Sequence, residues 1–507
     1  MVDLYLVTTA DESTWPHDKP IVFLGEWCKV NSRKKYWDKL ESETADYHWD
    51  SAVKMKTDYV FLQQVYEDLL KEISEYLNSE HGVNHSLKYW RLVIGPWLGS
   101  FIHILFDRFS MLKLAFKNHD IKSCRVHSKN SNHFIANDIL EYSSQTRSDS
   151  WNEFIYGQLL FECFDLKIDF IESNIKNQNS KKQSEENKNY FIKYKRFFHN
   201  LYLKINQNFV NNNEHFFLST YLPFFLDLKL QFKLGQFPKI WKNYHPPLFS
   251  KNSVNRTGLK NLKSTDFKSL AYKMALLHIP LAYLEGYKDL VEQTQKLPWP
   301  KNPKTIFTSM AFYADDIFKV WASEKCATGS TLIIGQHGGT YHIASWSFMQ
   351  DHQIAIADKW LSWGKGNISS QNVTQMFNFK LNKKNISYNS SGKLLLLGLS
   401  SARYSSYMCA IPASSQNISF IKDQFNFVES LPVKIQKKIE VRCPSQNAWE
   451  YIERWKEFFP FLAISSTDEK SFIKSLTQTR IAVSTYNGTT FLETLSMNFP
   501  TIIFWDE

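Results

Sequence analysis

The chain has 507 residues, of which 43% are hydrophobic and 22% charged, and its net charge is +10. Because a single hydrophobic core rarely grows beyond roughly 250–300 residues, this length predicts two or three domains. The positive charge favours an anionic partner; nucleic acid, an anionic membrane face and phosphorylated substrates all fit, and charge alone does not choose among them. The six cysteines include no CxxC pair, which predicts reduced thiols in a cytosolic protein.

The first residues lack the basic start and cleavage site of a signal peptide, so they are interpreted as a first strand and the protein is expected in the cytoplasm. The longest apolar stretch, residues 92–106, is interrupted by Pro96, Gly99 and His103. It falls short of the roughly 20 apolar residues that span a bilayer. A buried helix is expected there, with a contact on one membrane face as the alternative.

The N-terminal half begins with strand patterns at 4–9 and 21–24, and the second is followed by Glu26 and Trp27. Apolar residues at helical spacing then predict helices over 60–77 and 87–116. Residues 172–189 are almost devoid of apolar side chains and are expected to form a surface loop. We interpret about 50–300 as a large helical insertion.

Strand patterns return at 304–308, 331–334 and 353–357, and a polar stretch at 366–392 precedes a regular alternation. Strands are predicted at 393–398, 438–442, 461–465, 480–484 and 501–505, and helices near 420–432, 447–458, 468–477 and 489–497. Such alternation is typical of a parallel sheet with helices on both faces. The predicted fold class is α/β, with two Rossmann-like domains at 1–390 and 391–507. Because the chain stops directly after a strand, the C-terminal domain is expected to be truncated.

A turn near the C-terminus is the first candidate site. The strand at 480–484 breaks at Asn487 and Gly488, and a helix begins at Thr489. The amides of a helix's first turn, at the carboxyl edge of a parallel sheet, can hold a phosphate. Thr489 and Thr490 could donate to its oxygens, and Glu493 could accept from a ribose hydroxyl. Taken alone, the segment fits a plain helix cap with a solvated Glu493 about as well.

A second turn, Gly335-Gln336-His337-Gly338-Gly339, follows the strand at 331–334. A histidine exposed by such a turn can act as a general base or steady a phosphate, because its pKa lies near working pH. A structural histidine is the alternative. Arg442 lies at the carboxyl end of the strand at 438–442, and Ser445 follows it. Arg442 could hold a diphosphate or pair with a local acid.

Other polar clusters carry weaker signals. His81 and His85 have the spacing of a two-histidine metal site, but no HExxH motif or third ligand accompanies them, so capping or packing is expected. Asp315 and Asp316 are interpreted as a solvated helix face or the first turn of a helix. The sequence contains no Walker A and no GxSxG motif, which weakens the ATPase and serine-hydrolase readings.

Several motifs together resemble a family of transferases found in O-antigen and other surface-carbohydrate gene clusters of bacteria. They are Phe23-Leu-Gly-Glu-Trp-Cys28, Tyr47-His-Trp-Asp50, Asn84-His-Ser-Leu-Lys-Tyr-Trp-Arg91 with Gly95-Pro-Trp97, Pro303 to Thr308 leading into Gly335 to Gly339, Asp358-Lys-Trp-Leu-Ser-Trp-Gly364 and Gly488-Thr-Thr-Phe-Leu-Glu493. More distantly, the two turns are similar to those of the two-Rossmann (GT-B) transferases of capsule and teichoic-acid synthesis. The chain departs from these relatives in ending early and in having His342 where Gly is expected.

The resemblance implies a metal-independent glycosyltransferase with no cofactor, which moves a sugar from a nucleotide-sugar donor to a growing surface glycan such as O-antigen, lipopolysaccharide or capsule. His337 and Gln336 would be catalytic. The implied donor-binding residues are Arg442, Ser445, Asn487, Gly488, Thr489, Thr490 and Glu493. The implied acceptor-side residues are Gly338, Gly339, Tyr341, Glu26 and Trp27.

The expected partners are the donor and a lipid-linked or polysaccharide acceptor, with a peripheral contact on the anionic inner leaflet and no nucleic acid. Two alternatives stay open: a non-catalytic glycan- or nucleic-acid-binding protein on a Rossmann shell, and a sugar-nucleotide epimerase. A transferase requires His337 and Thr489 to face each other across one cleft. An epimerase would place carboxylates beside His337.

Overall fold

The structure is a computed structural model. It describes residues 4–16, 18–128, 131–172, 211–251, 254–256, 266–364, 370–379, 386–405, 408, 412–445, 448–467 and 471–505. The described residues form three five-stranded sheets, and every strand pair in them is parallel. The predicted α/β class with parallel sheets is therefore confirmed. We call the parts built on the three sheets the first lobe (4–172), the second lobe (211–379) and the third lobe (386–505).

The first sheet has the order β3-β2-β1-β4-β5. Its strands are β1 (Leu4–Val7), β2 (Ile21–Phe23), β3 (Ser42–Thr44), β4 (Ile121–Ser128) and β5 (Lys167–Glu172). The strand order reverses between β1 and β4, which opens a crevice at the carboxyl ends of these two strands. The description of about 50–300 as a helical insertion was wrong, since β4 and β5 lie inside it and complete this sheet.

The second sheet has the order β10-β9-β8-β7-β6, which follows the chain without a reversal. Its strands are β6 (Phe216–Phe217), β7 (Thr305–Thr308), β8 (Thr331–Gly335), β9 (Lys359–Trp363) and β10 (Val373–Met376). The strand predicted at 353–357 was wrong, since residues 353–356 end a helix. The polar stretch 366–392 contains β10.

The third sheet has the order β13-β12-β11-β14-β15, with a reversal between β11 and β14. Its strands are β11 (Lys393–Leu397), β12 (Ile439–Cys443), β13 (Ala463–Ser466), β14 (Thr479–Ser484) and β15 (Thr501–Ile503). All five lie at the positions expected from the sequence. Buried runs of Leu, Ile and Val form the central strands, as parallel sheets covered on both faces require.

The α-helices of the described residues follow in chain order. They are α1 (Lys34–Trp37), α2 (Ala52–His81), α3 (Leu87–Asn118), α4 (Ile139–Gln145), α5 (Asp149–Cys163), α6 (Phe224–Lys233), α7 (Phe267–His278), α8 (Tyr287–Gln295), α9 (Ala311–Ala314), α10 (Asp316–Ala327), α11 (Phe348–Ile356), α12 (Gln416–Glu429), α13 (Val433–Gln436), α14 (Tyr451–Phe458), α15 (Phe472–Leu476) and α16 (Thr489–Ser496). The predicted surface loop at 172–189 lies, beyond Glu172, outside the described residues.

Helix α3 is the central helix of the fold. Ser86 caps its first turn, and by length and composition it could cross a membrane, yet 94% of its most apolar window is buried inside the protein. The expected buried helix is confirmed. Gly99 of α3 lies against the ring of Phe348 on α11, where a β-carbon would come within 1.8 Å of that ring. A glycine at this position lets the two helices approach closely.

A buried polar cluster ties α3 to the third lobe. Asp107 accepts hydrogen bonds from Tyr47 Oη at 2.7 Å and from Arg108, and it contacts His48 Nε2 at 3.2 Å. Arg108 donates to the carbonyl of Ser405 at 2.9 Å. Burial raises the pKa of Asp107, but Arg108, His48 and Tyr47 outweigh it and the pKa is lowered. The buried charge is thus paired and hydrogen-bonded, as burial requires.

Candidate functional site

The carboxyl ends of all three sheets meet around the crevice of the third sheet, between β11 and β14. Arg403, which follows β11, forms an ion pair with Asp149 and donates to the carbonyl of Trp27 in the first lobe. Thr489, which follows β14, accepts a hydrogen bond from Gly339 in the second lobe. Ligands of open α/β sheets bind at such reversals of strand order, so this junction is the candidate site.

Gln336 fixes the turn after β8. Its side chain is buried, its Oε1 accepts from the amide of Trp363 at 2.7 Å, and its Nε2 donates to the carbonyl of Gly338 at 2.8 Å. Both ends of the amide are engaged within the second lobe. Gln336 therefore holds the turn to the end of β9 and sets the direction in which His337 projects.

His337 is partly buried and is surrounded by aromatic side chains. Tyr341 Oη lies 3.2 Å from its Nε2, and the ring of Tyr221 is nearly parallel to the imidazole at a centroid distance of 6.2 Å. Phe312 packs against another side at 6.2 Å. The Tyr341 hydroxyl fixes the rotation of the ring, and the aromatic walls limit the access of water to it.

Gly339 and the Gly488–Thr489 turn are in direct contact. The amide of Gly339 donates to Thr489 Oγ1 at 3.1 Å. A β-carbon on residue 339 would lie 2.5 Å from the carbonyl oxygen of Gly488 and 2.8 Å from the Cα of Thr489. Only glycine permits this approach of two backbones. The two turns that the sequence singled out are thus in direct contact, while the arrangement of His337 and Thr489 across one cleft stays a prediction.

The Asn487–Thr490 turn leads into α16 as expected. Gly488 occupies the N-cap position of α16 and provides no side-chain cap for the first-turn amides. Tyr486 Oη lies 3.1 Å from Thr490 Oγ1. Asn487 is buried, and its Oδ1 has no hydrogen-bond partner within the part of the chain that the structure describes. The turn therefore presents backbone donors and one unpaired acceptor, Asn487 Oδ1, at the junction, while Glu493 is half-buried one turn further on.

Arg442 is held inside the third lobe. Its buried guanidinium donates to Ser475 Oγ at 3.2 Å and to the carbonyl of Thr467 at 3.3 Å, on the side of β13. Strand β11 separates β12 from β14, so Arg442 and the Thr489 turn do not follow adjacent strands. A contact between Arg442 and a diphosphate would require these bonds to rearrange. Ser445 is exposed beyond the end of β12.

Glu26 and Trp27 lie at the seam between the first and third lobes. The Glu26 amide donates to Ser415 Oγ at 3.0 Å, and its carboxylate pairs with Lys29 at 2.9 Å. Trp27 is 1% exposed, and its indole N–H donates to the carbonyl of Thr8 at 3.0 Å. Trp27 thus belongs to the core at the end of β2, and Glu26 is the member of this pair that reaches the surface.

A polar cluster that sequence reasoning missed lies in the crevice of the first sheet. Asp11 Oδ1 accepts from Ser13 Oγ at 2.6 Å, and His127 Nε2 lies 3.1 Å from Asp11 Oδ2 and 3.0 Å from Ser13 Oγ. Burial raises the pKa of Asp11, but the hydrogen bonds from Ser13 and the charge of His127 outweigh it, so the pKa is lowered. The cluster follows β1 and β4. It could have been found only if β4 had been predicted as a strand.

Asp315 lies beside a cavity of about 160 Å³ at the carboxyl end of β7. The cavity is lined by Leu140, Ser219, Asn243, His245, Met310, Ala311, Ala314 and Asp315. Burial raises the pKa of Asp315 to about 7, with a smaller contribution from Asp316 in the same direction. Of the two interpretations, the first turn of a helix is confirmed and the solvated face is wrong: Asp315 caps α10, and Asp316, its first residue, is buried against Lys319 and Tyr283.

Local backbone geometry and packing account for three further histidines, His342, His81 and His85. His342 has φ of +66°, a conformation that glycine adopts without strain, which agrees with the expectation of glycine at this position. His81 lies 3.1 Å from the carbonyl of Tyr283 and His85 stacks on Tyr89, so the packing interpretation is confirmed. Among the described residues, no group of three or more His, Cys, Asp and Glu side chains is arranged to hold a metal ion.

The family model described as LIC12162 family transferase matches residues 4–507, which includes all three lobes and both turns. No curated protein matches the chain.

Proposed function

Because the chain belongs to the LIC12162 family of transferases, we propose that it is a glycosyltransferase that moves a sugar from a nucleotide-sugar donor to a growing surface glycan. The observation that carries this proposal is the contact between Gly339 and Thr489. It joins a histidine turn of one lobe to the uncapped helix start of another. A binding protein without catalysis would need no such junction.

In this proposal the third lobe binds the donor. Its crevice between β11 and β14 is where an α/β sheet receives a nucleotide, and the first-turn amides of α16 would hold the phosphates. Thr490 and Asn487 would add side-chain donors, and Glu493 would accept from the ribose. Gly488 keeps the backbone accessible. The pairing of this lobe with the lobes before it would be GT-B-like.

The acceptor would approach from the second lobe. His337 takes the proton of the acceptor hydroxyl as the acceptor oxygen bonds to the anomeric carbon of the donor sugar. The bond between that carbon and the phosphate oxygen breaks, and the nucleotide leaves with the electron pair. Negative charge grows on the departing phosphate, so the helix start of α16 contributes most in the transition state.

The other predicted residues take supporting roles. Gln336 is a positioning residue, since both ends of its amide hold the turn. Tyr341 orients the imidazole, and Gly338 and Gly339 shape the acceptor side of the junction. Arg442 and Ser445 would reach the donor only after rearrangement, and Glu26 would meet a long acceptor at the other seam. The proposal requires no metal or cofactor, and it places the protein in the cytoplasm against the inner leaflet.

Nucleotide binding tests the donor half of the proposal. Thermal unfolding is measured with UDP, GDP, dTDP, ADP and CMP and with sugar conjugates of each. At least one nucleotide should raise the melting temperature, and Thr489→Val should reduce that rise. Thr477→Val is the matched control, because Thr477 is an exposed threonine of the same lobe at the end of α15. A complete lack of stabilisation of the wild type would overturn the proposal.

Turnover tests the catalytic half. With the nucleotide found above, release of the nucleotide from its sugar conjugate is followed in the presence of a membrane extract containing lipid-linked glycan. His337→Ala should leave donor binding unchanged and lower kcat by roughly a hundred- to ten-thousand-fold. A variant that turns over at the wild-type rate would remove His337 from the role of base.

A further inference from the structure

Helix α6 has an unusual distribution of polar and apolar side chains. In this helix the buried residue is Gln231, while Phe224, Phe225 and Phe232 are 55%, 80% and 61% exposed. A surface helix of a soluble protein normally turns its apolar side to the core. In α6, Leu230 packs against the second lobe, but the three phenylalanines face outward.

The polar side of α6 attaches the helix to the second lobe. Gln231 Nε2 donates to Asp227 Oδ1 at 2.8 Å and to the carbonyl of Lys239 at 3.0 Å, and its Oε1 accepts from the Lys239 amide at 2.8 Å. Thr220 Oγ1 donates to Asp227 Oδ2 at 2.9 Å. These hydrogen bonds fix the rotation of α6 about its own axis. The packing of the second lobe therefore holds the phenylalanines in exposed positions.

The outward face continues past the helix. The large apolar side chains that are exposed between 221 and 248 are Tyr221, Phe224, Phe225, Leu226, Phe232, Leu234, Phe237 and Leu248. Among them, the rings of Phe224 and Phe225 are in contact, as are those of Phe232 and Phe237. Exposed apolar surface of this kind marks a contact with a protein or a membrane.

The positive charge of α6 indicates which kind of surface it contacts. Lys229 and Lys233 are exposed on α6 beside the phenylalanines, and within the described residues neither has a carboxylate in ion-pair contact. The one acidic residue of the helix, Asp227, is occupied by Thr220 and Gln231. Aromatic residues interleaved with lysines fit the interface of a bilayer that contains anionic lipids.

We propose that α6 and the residues that follow it form a membrane-contact face, which lies on an anionic phospholipid surface with the phenylalanines in the acyl-headgroup boundary. Tyr221, three residues before the start of α6, is the residue whose ring faces the His337 imidazole. The face therefore sits next to the candidate base. This inference rests on the proposed function only where it links the membrane to a lipid-linked acceptor; contact with lipid is independent of it.

Vesicle sedimentation tests the contact. The wild-type protein is mixed with sucrose-loaded vesicles of phosphatidylethanolamine and phosphatidylglycerol at 3:1, and with vesicles of phosphatidylcholine alone. Binding should be stronger to the anionic vesicles. The double variant Phe225→Glu/Phe232→Glu should bind them at least tenfold more weakly, and Lys229→Gln/Lys233→Gln should lose the preference for anionic lipid.

The matched control is Phe161→Glu/Phe170→Glu. These two phenylalanines are 73% and 63% exposed on the first lobe, and the double substitution changes the charge equally. It should bind as the wild type does. All variants are checked by thermal unfolding, and the nucleotide response of the α6 variants should match that of the wild type, which separates failure of this inference from failure of the proposed function.

Four results would overturn the inference. The first three are no binding of the wild type to anionic vesicles, equal loss in the control variant, and a concentration-dependent dimer that Phe225→Glu/Phe232→Glu dissociates. The dimer would assign the face to a second copy of the chain. A lower melting temperature of the α6 variant would instead show that the phenylalanines pack within the protein, and would equally reject a membrane face.

Discussion

The amide of Gly339 donates a hydrogen bond to Thr489 Oγ1 at 3.1 Å, and the two residues follow strands of different sheets. The His337 turn and the start of α16 are thereby held in one place. The contact leaves no room for a side chain on residue 339, because a β-carbon there would lie only 2.5 Å from the carbonyl oxygen of Gly488. The junction between the second and third lobes depends on this glycine.

Gly339→Ala is expected to separate the two turns. The clash is with backbone atoms, which cannot rotate away as a side chain can, so the lobes must shift apart at a cost of about 1–3 kcal/mol. Hydrogen exchange at residues 486–496 should accelerate, and chemical unfolding should report the loss of stability.

Gly338→Ala is the control for this change. A β-carbon on residue 338 would meet its nearest neighbour, Tyr341, at 3.8 Å, which is an ordinary contact. Exchange at 486–496 should stay as in the wild type. Equal acceleration in both variants would show that the turn as a whole is sensitive, and that the Gly339–Thr489 contact is not what holds the lobes.

Asp107→Asn should destabilise the protein by roughly 3–5 kcal/mol, because it leaves the buried Arg108 without its counter-charge. Urea unfolding at pH 7 measures the difference. The pKa of Asp107 is lowered in the folded state, so its contribution is present at neutral pH and is lost as the pH falls through the folded value. The gap between the wild type and the variant should therefore narrow below about pH 4.

Asp120→Asn is the matched control, since Asp120 and Lys122 form an exposed ion pair with side chains 41% and 52% accessible. An exposed pair contributes about 0–1 kcal/mol, so little change is expected. A similar small loss in Asp107→Asn would mean that the polar cluster contributes nothing beyond a surface pair.

Asp315→Asn should change how stability depends on pH. Burial raises the pKa of Asp315 from 3.8 to about 7, so its neutral form is favoured in the folded protein. The contribution of neutral Asp315 to the free energy of unfolding is fully present below pH 3.8, and it is lost as the pH rises towards 7. Asn keeps the cap on α10 but does not titrate. Between pH 5 and 8 the wild type should lose about 2–3 kcal/mol relative to the variant. Parallel profiles in urea unfolding would contradict the raised pKa.

Gly99→Ala should disrupt the packing of α3 on α11. The added β-carbon would lie 1.8 Å from the ring of Phe348, a buried side chain with little room to move. A loss of about 1–3 kcal/mol or more is expected in chemical unfolding. Gly157→Ala, in the middle of α5, is the control: its nearest contact would be 3.5 Å, and the higher helix propensity of Ala should raise stability by up to about 1 kcal/mol. Stabilisation by both changes would show that the two helices can separate freely.

The local pattern of the sequence predicted the third lobe well. Most strands there are short runs that contain Leu, Ile or Val, and the helical segments between them carry polar residues, so the alternation is visible without knowledge of the fold. The run at 353–357 was misread because a short apolar segment fits a strand as readily as a buried helix. Its helical state is set by packing of α11 on α3, which is a tertiary contact.

Parts of the candidate site were predictable for a topological reason. Parallel strands present their carboxyl ends at the same edge, so polar turns that follow strands are natural site candidates. His337 and Thr489 were found in this way. Asp11 and His127 were not, because their meeting depends on β4 pairing with β1 across more than a hundred residues of chain.

The sequence by itself determined the α/β class, the order of most strands and helices, and the two glycine-containing turns, because these depend on hydrophobic periodicity and on backbone preferences within a few residues. The tertiary structure alone decided that there are three sheets among the described residues, that Gly339 lies on Thr489, that Asp315 and Asp316 are buried, and that α6 turns its phenylalanines outward. These features arise from contacts between segments far apart in the chain, and burial, pKa and close backbone approach come into being only when such segments pack.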